Sequence, residues 1–238
     1  MLPLKDDVPS RSFPLITMLL IAANVAAFLY QVSLEAGSGG TGRAAAAFVM
    51  EFGAVPCRLT GVCVVDDAPA PVVTIFTSMF LHGGLFHIAG NMLYLWIFGD
   101  NVEDTLGHLR FLLLYVLAGA GAAGAQVGMS PHSQVPMVGA SGAISGVLGA
   151  YLLLFPHASV LTLIIFGFFI RFVQVPAVLV LGFWIVVQLV SGLMSYGAIT
   201  GKAAAADGGG VAWFAHIGGF VVGMILLFLL RPRGMRRL

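Results

Sequence analysis

The sequence predicts an all-α polytopic membrane protein, a bundle of six transmembrane helices with a long first extracytoplasmic loop. Three observations carry this expectation. Of 238 residues, 59% are hydrophobic and 9% charged, far from the composition of soluble domains. Apolar runs long enough to cross a hydrocarbon core recur along the chain, separated by polar stretches. Thirty-one glycines suit helices packed at short distance, since lipid supplies no hydrophobic drive between helices and small residues let backbones approach. A formal net charge of +1, with basic residues scattered or at membrane edges, gives no case for a nucleic-acid partner.

Residues 1–13 are polar and proline-bearing and read as a short cytoplasmic N-terminus with no separate domain ahead of the membrane. The first span is Pro14–Val32, too long for the apolar region of a signal peptide and followed by further spans. Residues 33–72 make a loop far longer than ordinary connections, which marks it as functional or partly ordered. It carries Cys57 and Cys63, for which a short extracytoplasmic disulfide and two free thiols are both open readings.

The second span, Val73–Phe98, contains His82 and then His87 and Asn91, four apart and so on one helical face. A polar loop, Asp100-Asn101-Val102-Glu103-Asp104, closes it. The third span is Phe111–Gly128, rich in Gly and Ala, followed by an uncharged loop, Met129–Val138. The fourth opens at Ser141 within Gly139-Ala140-Ser141-Gly142-Ala143-Ile144-Ser145-Gly146 and stops at Pro156. Ala158–Val175, between Pro156 and Pro176, has an apolar core too short for a crossing and reads as interfacial at the cytoplasmic face. The fifth span is Pro176–Tyr196; a Gly- and Ala-rich loop to Val211 leads to the sixth, Ala212–Leu230. The membrane domain is thus 14–230, and 231–238 is a basic cytoplasmic C-terminus.

Orientation follows from the excess of Lys and Arg on cytoplasmic loops. With the N-terminus inside, Lys5, Arg11, Arg110, Arg171, Arg231, Arg233, Arg236 and Arg237 are cytoplasmic, and Arg43, Arg58 and Lys202 are outside.

Polar side chains at membrane depth are costly and are read as functional. From Ser141 to Phe155 is 14 steps, about 21 Å of helix, and His216 to Leu230 is 14 steps as well. Serine and histidine therefore fall at one depth if both helices run outside to inside. A serine hydroxyl needs a base, and histidine suits that task near neutral pH. The start of the serine helix, His87 and Asn91 could supply donors for an oxyanion. No aspartate or glutamate is placed to orient His216, which gives a dyad rather than a triad. Ser145 lies a full turn deeper and reads as a packing hydroxyl, His82 as lining the mouth, and His108, His132 and His157 as solvated loop residues. Glycines at 142, 146 and 149 on one helix and at 219 and 223, in step with His216, on another predict that these two faces pack together.

Other chemistries fail on spacing. The serine lacks the final glycine of a Gly-x-Ser-x-Gly elbow, His82 and His87 are not His-Glu-x-x-His, and no phosphate-cradling glycine loop occurs.

Gly-x-Ser-Gly at 139–142, His-x-x-x-Asn at 87–91, and Ala215-His216-Ile217-Gly218-Gly219 with Gly223 resemble the rhomboid family of intramembrane serine proteases, in a likeness running from about residue 14 to 230. The resemblance implies Ser141 as nucleophile, His216 as general base, and His87 with Asn91 and backbone N–H groups as oxyanion hole. It implies single-span transmembrane proteins in membrane lipid as substrates, cut near the outer end of the helix, with no cofactor or metal. It places the protein in a bacterial inner membrane, with both termini cytoplasmic. A catalytically silent scaffold that binds membrane helices is the alternative. Two positions depart from the pattern: Val73-Thr74 stand where some bacterial members have Trp-Arg, and Ser145 where several have an aromatic stacked on the histidine. The resemblance therefore does not say how His216 is held.

Overall fold

The computed structural model describes residues 2–37, 39, 42–66, 68–167, 169–199 and 211–232. In chain order these build β1 (Leu2–Asp6), α1 (Leu15–Gly37), α2 (Arg43–Phe52), α3 (Pro56–Leu59), α4 (Pro71–Thr77), a 3₁₀ turn (Ser78–Phe80), α5 (Leu85–Leu106), α6 (His108–Met129), α7 (Ser141–Leu154), β2 (Ser159–Phe166), β3 (Phe169–Pro176), α8 (Ala177–Ile199) and α9 (Trp213–Leu230). Lys202, Arg233, Arg236 and Arg237 lie outside the described residues, as do 200–210 of the last loop and 233–238 of the basic C-terminus.

The fold is a mostly helical membrane bundle. Among the described residues, α1, α6, α9 and Ala177–Gly197 of α8 are long and apolar enough to cross a membrane. Pro71–Phe80 and α5 form a pair bent by 83°, and α7 is a shorter apolar helix. Its residues from Ala143 to Tyr151 are all buried, so α7 is the central element, enclosed by α5, α6 and α9.

The expected second span, Val73–Phe98, is not one continuous helix. The chain breaks after Phe80 and restarts at Leu85, with Gly84 at φ 155 in a conformation that side-chain-bearing residues rarely adopt. The restart puts His87 and Asn91 in the first two turns of α5. At its other end α5 runs on to Leu106, absorbing the acidic segment read from sequence as a loop. Tertiary partners explain this. Glu103 is fully buried and accepts from Ile16 N (2.8 Å), Thr17 N (2.8 Å), Thr17 Oγ1 (2.7 Å) and His108 Nδ1 (2.6 Å). A carboxylate on the positive end of α1 thereby satisfies amides that the helix itself leaves unpaired. Ser10 Oγ likewise donates to Asp100, and Ser12 to Asp104. His108, expected to be merely solvated, is a partner of that buried carboxylate.

Ala158–Val175 is a β-hairpin. β2 and β3 pair antiparallel from Ser159↔Pro176 to Phe166↔Phe169, and β1 adds to the other edge of β2, giving a three-stranded sheet that the helical expectation did not include. Val160, Thr162, Ile164, Ile170, Val173 and Val175 are β-branched and favour extended backbone, and Gly167 turns the chain at φ 57. Val160 and Thr162 face inward while Ile165, Ile170 and Phe172 are exposed. The sheet is tied to the bundle by Tyr151, whose hydroxyl donates to Asp6, and by Ser159 N, which donates to Asp7 Oδ1 at 2.7 Å.

At the opposite end the described residues of the long first loop build α2 and α3 and the start of α4. A disulfide joins Cys57 and Cys63, whose Cα atoms are 5.2 Å apart. The buried Arg58 donates to the carbonyls of Met50, Glu51 and Pro69. Ala54 and Met137 exchange backbone hydrogen bonds at 3.1 and 2.9 Å, and Cys57 N donates to Ser133 O at 3.0 Å. The loop thus buttresses the strand-like segment that leads into α7.

Between α7 and α9 the backbones touch. A Cβ on Gly219 would fall 2.1 Å from the carbonyl oxygen of Gly142, one on Gly223 2.1 Å from that of Gly146, and one on Gly149 2.3 Å from that of Phe220. On its α6 side Gly146 meets Ala118, whose Cβ would be 2.3 Å away. Backbone cannot yield as a flexible side chain can. Gly219→Val is expected to lower the melting temperature in detergent by forcing α9 off α7, at an overpacking cost of about 1–3 kcal/mol or more. Wild-type melting would refute the constraint.

Burial pushes the half-buried Asp6 carboxyl up to about 6, with Asp100 and Asp7 adding to the rise and the Tyr151 hydrogen bond opposing it. The folded protein then holds a proton on Asp6 that the unfolded chain releases at 3.8, so this group's contribution to stability falls as pH rises from about 3.8 to about 6 and is level above that. Asp6→Asn removes the titration. Its melting temperature relative to wild type should rise across that window; a constant difference from about pH 4 to about pH 7 would show that Asp6 is not linked to folding.

Candidate active site

Ser141 is the first residue of α7, reached through Gly139. Gly139 has φ +117, and a Cβ there would lie 2.7 Å from His87 Nε2 and 3.5 Å from Asn91 Nδ2. Its N–H donates to Ser78 O at 2.9 Å. Only glycine lets the incoming backbone lie this close to α5 in that conformation. The first amides of α7 have no intrahelical acceptors, and the helix dipole makes this end positive.

His216 lies in the first turn of α9. Its Nε2 is 2.8 Å from Ser141 Oγ, and its Nδ1 is 2.7 Å from Oε1 of Gln188 on α8. The start of α9 is fixed by Gln126 of α6, whose Oε1 accepts from Phe214 N (3.1 Å) and Ala215 N (3.3 Å). Two tryptophans flank the imidazole. Trp184 of α8 lies 5.9 Å away between centroids at 37°, and Trp213 lies 6.3 Å away at 88°. These rings and Gln188 hold the histidine in a chain without an aromatic at 145.

His87 and Asn91 reach the same place from α5. Gly83 N donates to His87 Nδ1 at 3.3 Å, so the ring proton of the neutral imidazole is on Nε2, the atom that faces Gly139. Asn91 Nδ2 is buried without a hydrogen-bond partner among the described residues. Such a donor is costly unless something uses it. Ser145 Oγ donates to Ser141 O at 2.6 Å and is fully buried, the position of a satisfied packing hydroxyl. His82 does not line the cavity as expected; it is buried with its ring edge-to-face on His87, centroids 5.1 Å apart. His132 and His157 are exposed in turns.

The serine, both histidines and Asn91 open onto one cavity of about 510 Å³. Its walls are Phe86 and Tyr94 of α5, Ile144 and Leu148 of α7, and Trp184 of α8, and among the described residues no Asp, Glu, Lys or Arg lines it. Phe86 is 93% exposed at the rim. A nucleophile with a basic partner, two side-chain donors and a helix N-terminus converging on an apolar cleft is an arrangement suited to acyl transfer on an apolar chain. Gln188 was missed from sequence. Its signal was present as a lone amide in the middle of the apolar fifth span.

The sequence is similar to known proteins. A family model described as the rhomboid domain matches residues 69–233, more than half of the chain. RHOMBOID-like protein 1 of Arabidopsis thaliana is 34% identical over 161 residues, covering 67% of this chain and 35% of the relative. Rhomboid protease GluP of Bacillus subtilis (strain 168) is 46% identical over 78 residues, 33% of this chain and 15% of the relative. Putative rhomboid protease YdcA of the same organism is 38% identical over 82 residues, 33% of this chain and 39% of the relative. The chain thus matches well under two thirds of the length of each. The family match covers more than half of a chain that folds as a helical membrane bundle, and the chain belongs to the rhomboid family.

Proposed function

We propose that the protein is an intramembrane serine endopeptidase that cleaves transmembrane segments of membrane proteins near their extracytoplasmic end. The observation that carries this reading is the 2.8 Å approach of His216 Nε2 to Ser141 Oγ at the positive end of a helix. His216 takes the hydroxyl proton as Oγ attacks the scissile carbonyl. The oxyanion is met by His87 Nε2–H, Asn91 Nδ2–H and the first amides of α7. His216 then returns the proton to the leaving amine, and water repeats the sequence on the acyl-enzyme. An unwound transmembrane segment of a single-span protein fits the apolar cleft between α5 and α8, and the chemistry calls for no metal or cofactor. That two of the similar proteins are named proteases supports the same reading.

In this reading α1, α5, α6, α7, α8 and α9 each cross the membrane once within a domain spanning 14–230. The sheet end is cytoplasmic, with 1–13 and 231–238 flanking it, and the disulfide end faces outward. The charge distribution and the disulfide support this orientation, and an inner bacterial membrane fits it. Reporters fused after Leu238 should read inside, and a tag within 37–45 outside. The opposite signals would invert the topology.

A serine-directed fluorophosphonate tests the chemistry without knowledge of the substrate. Purified protein should label at Ser141, and Ser141→Ala or His216→Ala should each abolish nearly all labelling, with the double variant little worse. Asn91→Ala should slow it by about 10²–10³, the usual loss for one oxyanion donor. No labelling, together with no Ser141-dependent cleavage of a transmembrane substrate in detergent, would favour a silent helix-binding scaffold.

A further inference from the structure

We infer that Gln188 is the positioning residue for His216, a neutral amide in the role that a carboxylate takes in a catalytic triad. This rests on the proposed roles of Ser141 and His216. Gln188 is 6% exposed, near the middle of α8. Its Nε2 donates to Trp184 O at 3.3 Å, and a carbonyl oxygen can only accept. That bond settles which way the amide faces, so Oε1 points at the imidazole, 2.7 Å from Nδ1. Because Oε1 can only accept, Nδ1 must carry the ring proton. In a neutral imidazole Nε2 is then the lone-pair atom, and it is the one that meets the Ser141 hydroxyl at 2.8 Å. A chain of three bonds, from Trp184 O through Gln188 and His216 to Ser141, thus fixes the tautomer a general base needs.

The choice of amide follows from where it sits. A carboxylate within an apolar span would pay a large desolvation cost, whereas an amide gives the same acceptor without charge. Trp184 and Gln188 are four apart on α8, so one face of that helix both covers the imidazole and holds its Nδ1 proton.

The test uses full-length protein in detergent and two readouts. In ¹⁵N spectra, with the His216 signals assigned by their loss in His216→Ala, wild type should show the Nδ1-protonated tautomer. Gln188→Met, matched in size but without an acceptor, should shift His216 toward a tautomer mixture and slow fluorophosphonate labelling at Ser141 roughly 10- to 100-fold, the scale on which an orienting partner of a histidine acts. Gln188→Glu should restore labelling to within a few-fold of wild type, since a carboxyl keeps the acceptor and, when protonated, can donate to Trp184 O as the amide does. An Nε2-protonated His216 in wild type would overturn the inference. So would a Gln188→Met protein with unchanged tautomer and labelling, or a Gln188→Glu protein that folds as wild type but labels no faster than Gln188→Met. If Gln188→Met does not fold, the wild-type tautomer and the Gln188→Glu rate still decide. If wild type does not label at Ser141, the proposed function fails, while the tautomer still tests Gln188.

Discussion

The backbone contact between α7 and α9 is the constraint on which the site depends. Glycines of α7 and α9 leave the closest points of the seam without a Cβ, so carbonyl oxygens of Gly142 and Gly146 lie where side chains of 219 and 223 would otherwise stand. In lipid this approach replaces the hydrophobic drive that packs helices in water, and dispersion and weak Cα–H···O contacts take its place. His216 lies three residues before Gly219, on the same face. Its imidazole is therefore carried to Ser141 by a rigid spacer of two backbones. Misplacement of reacting groups by about 1 Å can cost about 10²-fold in rate, which is why the spacing is set by atoms that cannot change rotamer.

Around that seam, two of the contacts that order the site are made by neutral amides, which avoid charge in the apolar interior. Gln126 caps the start of α9 and Gln188 holds His216, both as neutral amides. The carboxylate that is fully buried, Glu103, sits near the sheet end of the bundle with four donors, three of them from the start of α1. A buried carboxyl group is tolerated where a helix terminus and several hydrogen bonds repay its desolvation. Among the described residues Asn24 Oδ1, both ring nitrogens of His82, Asn91 Nδ2, Asn101 Oδ1 and the Tyr115 hydroxyl are buried without a hydrogen-bond partner, and of these residues Asn91 lines the cleft.

Much of this was legible in the sequence, for identifiable reasons. The juxtaposition of Ser141 and His216 could be read because each stands 14 steps from the far end of its apolar stretch, at Phe155 and Leu230, which puts them at one level. The glycine spacing showed which faces meet. The break at 81–84 was hidden because the apolar run continues across it and hydropathy averages over Gly83 and Gly84. The hairpin at 159–176 was hidden because a short apolar run has no decisive period, and its β-branched residues serve a strand as readily as an interfacial segment. The acidic stretch after Gly99 looked like a loop because its partners are remote: Ser10, Ser12 and the start of α1 lie about 90 residues away in sequence. Gln188 is a neutral amide within an apolar span, and nothing in the sequence alone ties it to His216, 28 residues away.

The site divides into a fixed frame and one separate wall. Ser141, His87, Asn91 and the base of His216 stand on helices locked by glycine seams, by the Gly139 approach and by the Gln126 cap. Trp184 and Gln188 stand on α8, which packs mainly on α9 and leaves Phe183, Val186, Leu193 and Met194 exposed toward lipid. The helix that walls this side of the cleft is therefore the same one whose Gln188 pairs with His216 Nδ1. Any displacement of α8 large enough to break the 2.7 Å hydrogen bond at Gln188 would take the Nδ1 partner from His216 while leaving Ser141 on α7. One side chain thus links the seating of α8 against α9 to the orientation of His216.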